Sequence, residues 1–326
     1  MRVFLTGGTG LIGRRIARLI RDRGDQAVVL TRDSNRHRRD PQSRGIEFIP
    51  GNPSKPGDWL SSVDGCDAVI NLVGHNLFSE RWNPEIKRKI RDSRVNSTEH
   101  VVKAIEMSRR RPTVLVQGSA IGYYGPRLDE ELNEQSAPGS DFLAKICREW
   151  EEAALPVMGL GPRLATVRTG IVLAKSEGAL AAMTPIYRWL PGGAAPLGNG
   201  GSLFKPANGR QWMSWIHLDD IAGLFLLALD RPDISGPING TSPNPVRHID
   251  FGRALAKILH RPFLPFGPPD AMLDIVLGEM AQVITKGQRV LPEKALLHQY
   301  SFKYPDLVPA LNAVFAKPRR VSTVST

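Results

Sequence analysis

The chain has 326 residues, of which 41% are hydrophobic and 23% charged, with a net charge of +11. That composition fits one large α/β domain, or a nucleotide domain with a smaller lobe, and no run approaches the ~18 apolar residues of a membrane span. The basic residues fall in runs (Arg32–Arg39, Lys87–Arg94, Arg109–Arg111) with no interleaved aromatics, zinc-finger spacing or RNA-recognition signature. They read as solvated faces plus a phosphate pocket, so neither nucleic acid nor membrane is expected as a partner.

The first 175 residues alternate strand and helix patterns. Arg2–Thr6 is a short apolar strand, with no targeting segment read ahead of it; a cytoplasmic location is expected. Leu11–Arg23 reads as a helix with Ile12, Ile16, Leu19 and Ile20 on one face and Gly24 as its stop. Gln26–Thr31, Ile46–Ile49 and Asp67–Leu72 read as strands. Pro84–Met107 is a long helix, Thr113–Gly118 a strand, Asp141–Leu155 a helix ended by Pro156, and Arg163–Arg168 a strand. This alternation predicts a Rossmann-like, doubly wound parallel sheet covered on both faces.

Beyond residue 175 the texture changes. A Gly- and Pro-rich stretch at 191–209 reads as a long loop. Trp212–Ile216 is a strand candidate and Asp219–Leu229 a helix opened by acidic residues. The expected organisation is an NADP(H)-binding domain over 1–175, with strands returning from 211–240. A substrate-side C-terminal lobe over 176–316 and a tail at 317–326 follow. Cys66 and Cys147 form no CxxC and read as reduced, buried thiols. The seven histidines offer no HExxH and no paired Cys/His spacing, so no metal is expected.

The strongest signal is Thr6-Gly7-Gly8-Thr9-Gly10-Leu11-Ile12-Gly13, a GxxGxxG between a strand and a helix. Gly7 allows the tight turn, Gly10 admits a pyrophosphate to the backbone, and Gly13 lets the helix pack close. The N–H groups at Leu11 and Ile12 would face the phosphates. Gly7, Thr9, Gly10, Leu11, Ile12 and Gly13 are therefore assigned to a dinucleotide. At the end of the second strand stand Thr31 and Arg32. An arginine here accommodates the 2′-phosphate of NADP(H), whereas Asp33, one residue later, would suit NAD. NADP(H) is the expected cofactor.

Several ordered blocks carry a resemblance over almost the whole chain. They are Gly7–Gly13, Val69–Gly74, Arg81-Trp82, Arg91–Arg94, Gly122–Gly125, Asp141–Ala144, Arg168–Leu173, Gln211–His217 and Gly287–Pro292. The pattern resembles the SulA-like epimerase family proteins, atypical extended short-chain dehydrogenases related to nucleoside-diphosphate-sugar epimerases. The resemblance implies a Rossmann-like domain with a small lobe closing over the site. It also implies that Leu72, Val73 and Gly74 border the adenosine ribose and phosphates, that Arg94 reaches the cofactor, and that Ile171 passes the nicotinamide amide. Ordinary members of the superfamily use Ser, Tyr and Lys, with Lys four residues after Tyr. This chain has no Tyr-x-x-x-Lys; the equivalent positions fall on Phe142 or Leu143 and on Ile146 or Cys147.

The remaining proton-transfer candidates are Ser119, Tyr123 and Tyr124. His217 lies at a place that resembles the substrate-side strand and, with His75, is expected to contact substrate, while Asp219 suits a helix start. Two departures from the family pattern are His75, where an acidic residue is usual, and an insertion within 194–207 that would serve as a lid or as tolerated surface. The expected function is an NADP(H)-dependent oxidoreductase or epimerase on a small carbonyl or nucleotide-sugar-like substrate. The alternative is an NADP(H)-binding redox sensor without chemistry. An exposed edge or helix pair would suit a homodimer.

Overall fold

A computed structural model describes residues 1–77, 79–189, 209–264, 275, 278–280 and 285–316. The expected insertion at 194–207 and the tail at 317–326 lie outside the described residues. In chain order the first elements are β1 (Arg2–Thr6), α1 (Leu11–Asp22), β2 (Gln26–Thr31), α2 (Ser34–Arg38), β3 (Glu47–Pro50), β4 (Ala68–Asn71), α3 (Pro84–Met107) and β5 (Val114–Ala120). A 3-10 turn at Ile121–Tyr124, β6 (Glu131–Leu132), α4 (Phe142–Glu152), β7 (Arg163–Thr169), β8 (Ile171–Leu173) and α5 (Gly178–Trp189) follow. Then come β9 (Trp212–Met213), β10 (Trp215–His217), α6 (Leu218–Asp230), β11 (Gly236–Gly240), β12 (Val246–Arg247) and α7 (His248–Ile258). The chain ends on β13 (Arg289–Val290), α8 (Glu293–Leu297) and α9 (Leu307–Phe315).

Seven strands form one sheet in the order β11-β7-β5-β4-β1-β2-β3, and every neighbouring pair is parallel. Parallel strands covered on both faces are rich in apolar residues, and in these Val3, Phe4, Leu5, Val28, Val29, Val69, Ile70, Leu115 and Val116 are fully buried. One face packs on α1 and α6 through Ile16, Ile20, Ile221 and Phe225; the other packs on α3 through Val101 and Ile105. The strand order reverses between β1 and β4. In such sheets the crevice at the carboxyl ends of the strands, at that reversal, is where a ligand sits.

Asn71 closes β4 with a buried polar knot. It accepts from Thr6 Oγ1 at 2.5 Å and donates to Thr98 Oγ1 at 2.9 Å and Gln117 Oε1 at 3.0 Å. Trp150 Nε1 joins at Thr98, so β1, β4, β5, α3 and α4 are tied together just below the crevice.

Among the described residues the C-terminal portion forms no second sheet of any size. β8 pairs in parallel with β10, β9 antiparallel with β12, and β13 in parallel with the distant β6. Their apolar side chains, with α5, α7 and α9, make a separate core of Leu173, Tyr187, Met213, Trp215, Phe251 and Leu311. The expected single strand at Trp212–Ile216 is broken at Ser214. Its hydroxyl accepts from Val290 N and donates to Gln288 O, which sends β9 and β10 to different partners. Among the described residues no helix is long and apolar enough to cross a membrane.

Candidate functional site

The glycine loop joins β1 to α1 at the strand-order reversal. Gly7 has φ +68°, the left-handed region that favours glycine, and a Cβ there would lie 2.8 Å from the Leu72 carbonyl carbon. Gly13 is as tightly placed: a Cβ would come within 2.3 Å of Gly7 O. The helix thus packs on the loop itself, more than on the strand. Gly10 caps α1 with no side chain and is exposed, and nothing acidic stands in the first turn. Backbone N–H groups of Leu11 and Ile12 and the positive helix end therefore face the crevice beside Thr9. Arg14 braces the loop by donating to Thr9 O at 2.8 Å.

At the end of β2, Thr31 is buried and its hydroxyl accepts from Asp33 N. Asp33 is a helix cap: its carboxylate accepts from Arg36 N at 3.0 Å. Arg32 is exposed, and no acidic side chain pairs with it among the described residues. Arg38 donates to Phe48 O and is a packing residue.

Leu72, Val73 and Gly74 leave β4 beside Gly7. Arg94, on α3, lies flat beneath them. Its Nη1 donates to His75 O at 3.2 Å and Ile90 O at 2.9 Å, and its guanidinium stands 5.1 Å from the Trp150 ring. A Cβ on Gly74 would approach Arg94 Cζ to 3.0 Å, so the glycine leaves room for a guanidinium. The His75 backbone N–H donates to Ser93 Oγ on α3, and its Nε2 meets Ser79 Oγ at 3.1 Å. Ile171 is half-buried and paired to Trp215.

The proton-transfer candidates sit in a network that the sequence did not reveal. Ser119 is 4% exposed and donates to Glu151 Oε1 at 2.7 Å. Glu151 is held by Arg168, whose Nε and Nη2 donate to it at 2.9 and 2.8 Å. Arg168 Nη1 also donates to the Tyr124 hydroxyl at 3.0 Å, and that hydroxyl donates to Asn239 Oδ1 at 2.6 Å. Tyr124 is completely buried, and burial pushes its phenol up to about 12 despite the adjacent guanidinium. Asn239 N donates to the buried Glu134, whose carboxyl is raised by burial. Ser119 and Tyr124, expected as proton-transfer residues, thus have both hydroxyls hydrogen-bonded inside the protein. Tyr123 differs. It is half-buried, and the Arg168 guanidinium stacks 3.5 Å from its ring centroid. The one early signal for this network was Arg168 itself, a charge inside the buried strand Arg163–Thr169.

His217 ends β10 and caps α6, with its Nδ1 accepting from Asp219 N at 3.1 Å. Asp219, expected to start the helix, is instead in its first turn and pairs with Arg15 and Lys303. The His217 ring leans on Tyr304 at 4.1 Å and is 8% exposed; burial lowers its pKa to about 4, so it is neutral.

These features have counterparts among known proteins. Residues 3–239 match the NAD dependent epimerase/dehydratase family, and residues 268–314 match a domain of unknown function, DUF1731. The chain is 42% identical over 318 residues to the chloroplastic "Epimerase family protein SDR39U1 homolog" of Arabidopsis thaliana, covering 96% of this chain and 86% of that protein. It is 34% identical to "Epimerase family protein YfhF" of Bacillus subtilis, covering 98% and 100%. A crystal structure of human epimerase family protein SDR39U1 (isoform 2) with NADPH superposes with a TM-score of 0.81 at 30% identity, covering 96% of this chain and 99% of that one. By its glycine loop, its seven-stranded parallel sheet and these matches, the chain belongs to the NAD dependent epimerase/dehydratase family.

Proposed function

We propose that the protein is an NADP(H)-dependent epimerase or oxidoreductase acting on a small carbonyl or nucleotide-sugar-like substrate. The observation that carries this reading is the loop at Gly7–Gly13. Its open Gly10 and helix end offer a cradle for a pyrophosphate, beside the exposed Arg32 at the end of β2. The NADPH in the human relative supports the same cofactor. When bound, NADP(H) would supply hydride transfer. The chain's own residues would then do the rest. Leu11 and Ile12 N–H groups bind phosphate, Arg32 takes the 2′-phosphate in a forked contact, and Leu72 to Gly74 with Ile171 wall the crevice. Tyr123 is the hydroxyl left to hold or move a proton at a substrate oxygen, with the Arg168 cation over its ring.

A calorimetric titration with NADPH, NADP⁺ and NADH tests the cofactor. Tight NADPH binding, weaker NADH binding and loss of that preference in Arg32→Ala are expected. If no nucleotide binds, the reading is wrong. A second reading is favoured by the absence of a Tyr-x-x-x-Lys pair and by the burial of Tyr124: an NADP(H)-binding sensor that regulates a partner. Transfer of deuterium from labelled NADPH to any metabolite would exclude it.

A further inference from the structure

The chain leaves β4 through Gly74 into a loop, residues 75–83. β4 and β5 are neighbours in the sheet, so this loop and the turn carrying Tyr123 leave its carboxyl edge side by side. In an open parallel sheet that edge is where a ligand binds. The far end of the loop meets the C-terminal region. A Cβ on Gly278 would lie 3.1 Å from Arg81 Nε, and Lys87, in the first turn of α3, pairs with Glu279. The loop thus bridges the dinucleotide domain and the C-terminal region.

His75 is the first residue of this loop. α3 holds it by its backbone: Ser93 Oγ accepts from its N–H at 2.9 Å, and Arg94 Nη1 donates to its carbonyl at 3.2 Å. The imidazole is left to Ser79. Ser79 Oγ spends its one proton on Asn76 O at 2.9 Å, so it meets His75 Nε2, at 3.1 Å, as an acceptor. Nε2 therefore carries a proton in both charge states of the ring, and Nδ1 is the atom that gains or loses one. Nδ1 has no protein partner among the described residues, and the residue is half-buried, within reach of solvent. The charged groups facing it are Glu80, with a carboxylate oxygen 3.8 Å from Nε2, and Arg94. His217, by contrast, spends its Nδ1 on Asp219 N.

Resting on the cofactor reading above, we infer that His75 is a proton-transfer residue of the site: its Nδ1 gives a proton to, or takes one from, the oxygen of a carbonyl or alcohol substrate. Ser79 is a positioning residue that fixes the tautomer. In reduction, a carbonyl carbon takes hydride from NADPH while its oxygen takes the Nδ1 proton. The N–H bond breaks as the O–H bond forms, and the ring is left neutral with Nε2–H still on Ser79. Solvent then returns a proton to Nδ1. Oxidation of the alcohol runs the same transfers backwards. Tyr123, from the β5 side, can hold the same oxygen.

The test reads the ring nitrogens of His75 by NMR in the full chain, with NADPH, NADP⁺ and adenosine 2′,5′-bisphosphate as ligands. Loss of the signal in His75→Gln assigns it. Should that variant not fold, Ser79→Ala assigns it, since His75 is the histidine that loses a partner there. The oxidised nicotinamide ring carries one positive charge more than the reduced one. Within about 10 Å, at a dielectric of about 45, that charge changes the imidazolium-to-neutral ratio about threefold. Both dinucleotides are expected to move the His75 signal, and the bisphosphate to leave it in place. At one pH the imidazolium-to-neutral ratio should be about threefold lower, or more, with NADP⁺ than with NADPH. The neutral ring should carry its proton on Nε2, and Ser79→Ala should spread it over both nitrogens. A signal that ignores the dinucleotides, an equal ratio in the two complexes, or a neutral ring protonated on Nδ1 overturns the inference and leaves the cofactor reading standing. If no dinucleotide binds, the proposed function falls first and takes this inference with it.

Discussion

At the scale of single residues, the buried polar groups separate structural chemistry from ligand chemistry. Tyr124 has the residue type of a proton donor but no surface, and its hydroxyl is shared between Arg168 and Asn239. Tyr124→Phe leaves a buried amide oxygen and one guanidinium N–H short of a partner. A loss of about 1–3 kcal/mol of stability is expected from that desolvation, with NADPH affinity unchanged, read by urea denaturation and by titration. Unchanged stability with lost turnover would return Tyr124 to a catalytic role. His217 gives a pH prediction. Its folded pKa of about 4 lies below the ordinary 6.5. Between those values the unfolded chain takes up a proton that the folded chain refuses, so stability falls as pH falls through that window. The slope is about 1.4 kcal/mol per pH unit for one proton. His217→Asn keeps an acceptor for Asp219 N and should make the pH dependence between 6.5 and about 4 shallower by one proton's slope, while His248, lowered to about 4 by burial, contributes alike in both proteins. Glu134 and Asp220, raised by burial, act with the opposite sign, but they remain in both proteins and cancel in the comparison.

At the scale of elements, the glycine loop and the helix after it act as one piece. Gly13→Ala would place a methyl 2.3 Å from Gly7 O and 2.6 Å from Gly8 Cα, both backbone atoms that cannot rotate aside. The loop must move. An overpacking cost of about 1–3 kcal/mol is expected, together with loss of NADPH affinity by about tenfold or more, in a protein whose circular dichroism is unchanged. Retained affinity would mean that the cradle is not where the phosphates bind. These elements were legible because local physics specifies them. Pro84–Met107 was read to its observed ends, because Pro suits a first turn and apolar residues recur at helical spacing. The strands of the sheet were apolar runs between turn residues. What could not be read was pairing over long separations: β6 with β13, or the break at Ser214 that hands β9 and β10 to different partners. Ser119, Glu151, Arg168, Tyr124 and Asn239 likewise come from five separate elements. No spacing rule links them, and only the odd charge in β7 hinted that something buried must answer it.

For the whole molecule, the question is how the last segment is fastened. Between Gln288 and Tyr304 the chain runs back over the dinucleotide domain rather than folding by itself. Gln288 donates to Ile121 O at 2.7 Å, and Asn239 donates to Leu291 O at 2.9 Å. Asp220, on α6 and 1% exposed, accepts from the backbone of both Lys303 and Tyr304, at 2.6 and 3.0 Å. One carboxylate thus satisfies two N–H groups of a segment that has no ladder there, and the same segment brings Tyr304 against His217. Asp220→Ala leaves both N–H groups without that partner beneath a packed surface, at a cost of about 1–3 kcal/mol for each donor that water does not reach. If the segment is a strap across one cooperative unit, the cost appears as a lower denaturation midpoint with a single transition, and amide exchange rises throughout the sheet. If the segment opens on its own, exchange rises only in α8, α9 and the residues between them, while β1 to β5 keep their protection. The first outcome is expected. The core of the sheet takes in α6 and Ala295 of α8, and α8 and α9 pack on β11 and β8, so little can open without uncovering apolar surface. Selective exchange in α8 and α9 would make the C-terminal segment a detachable unit.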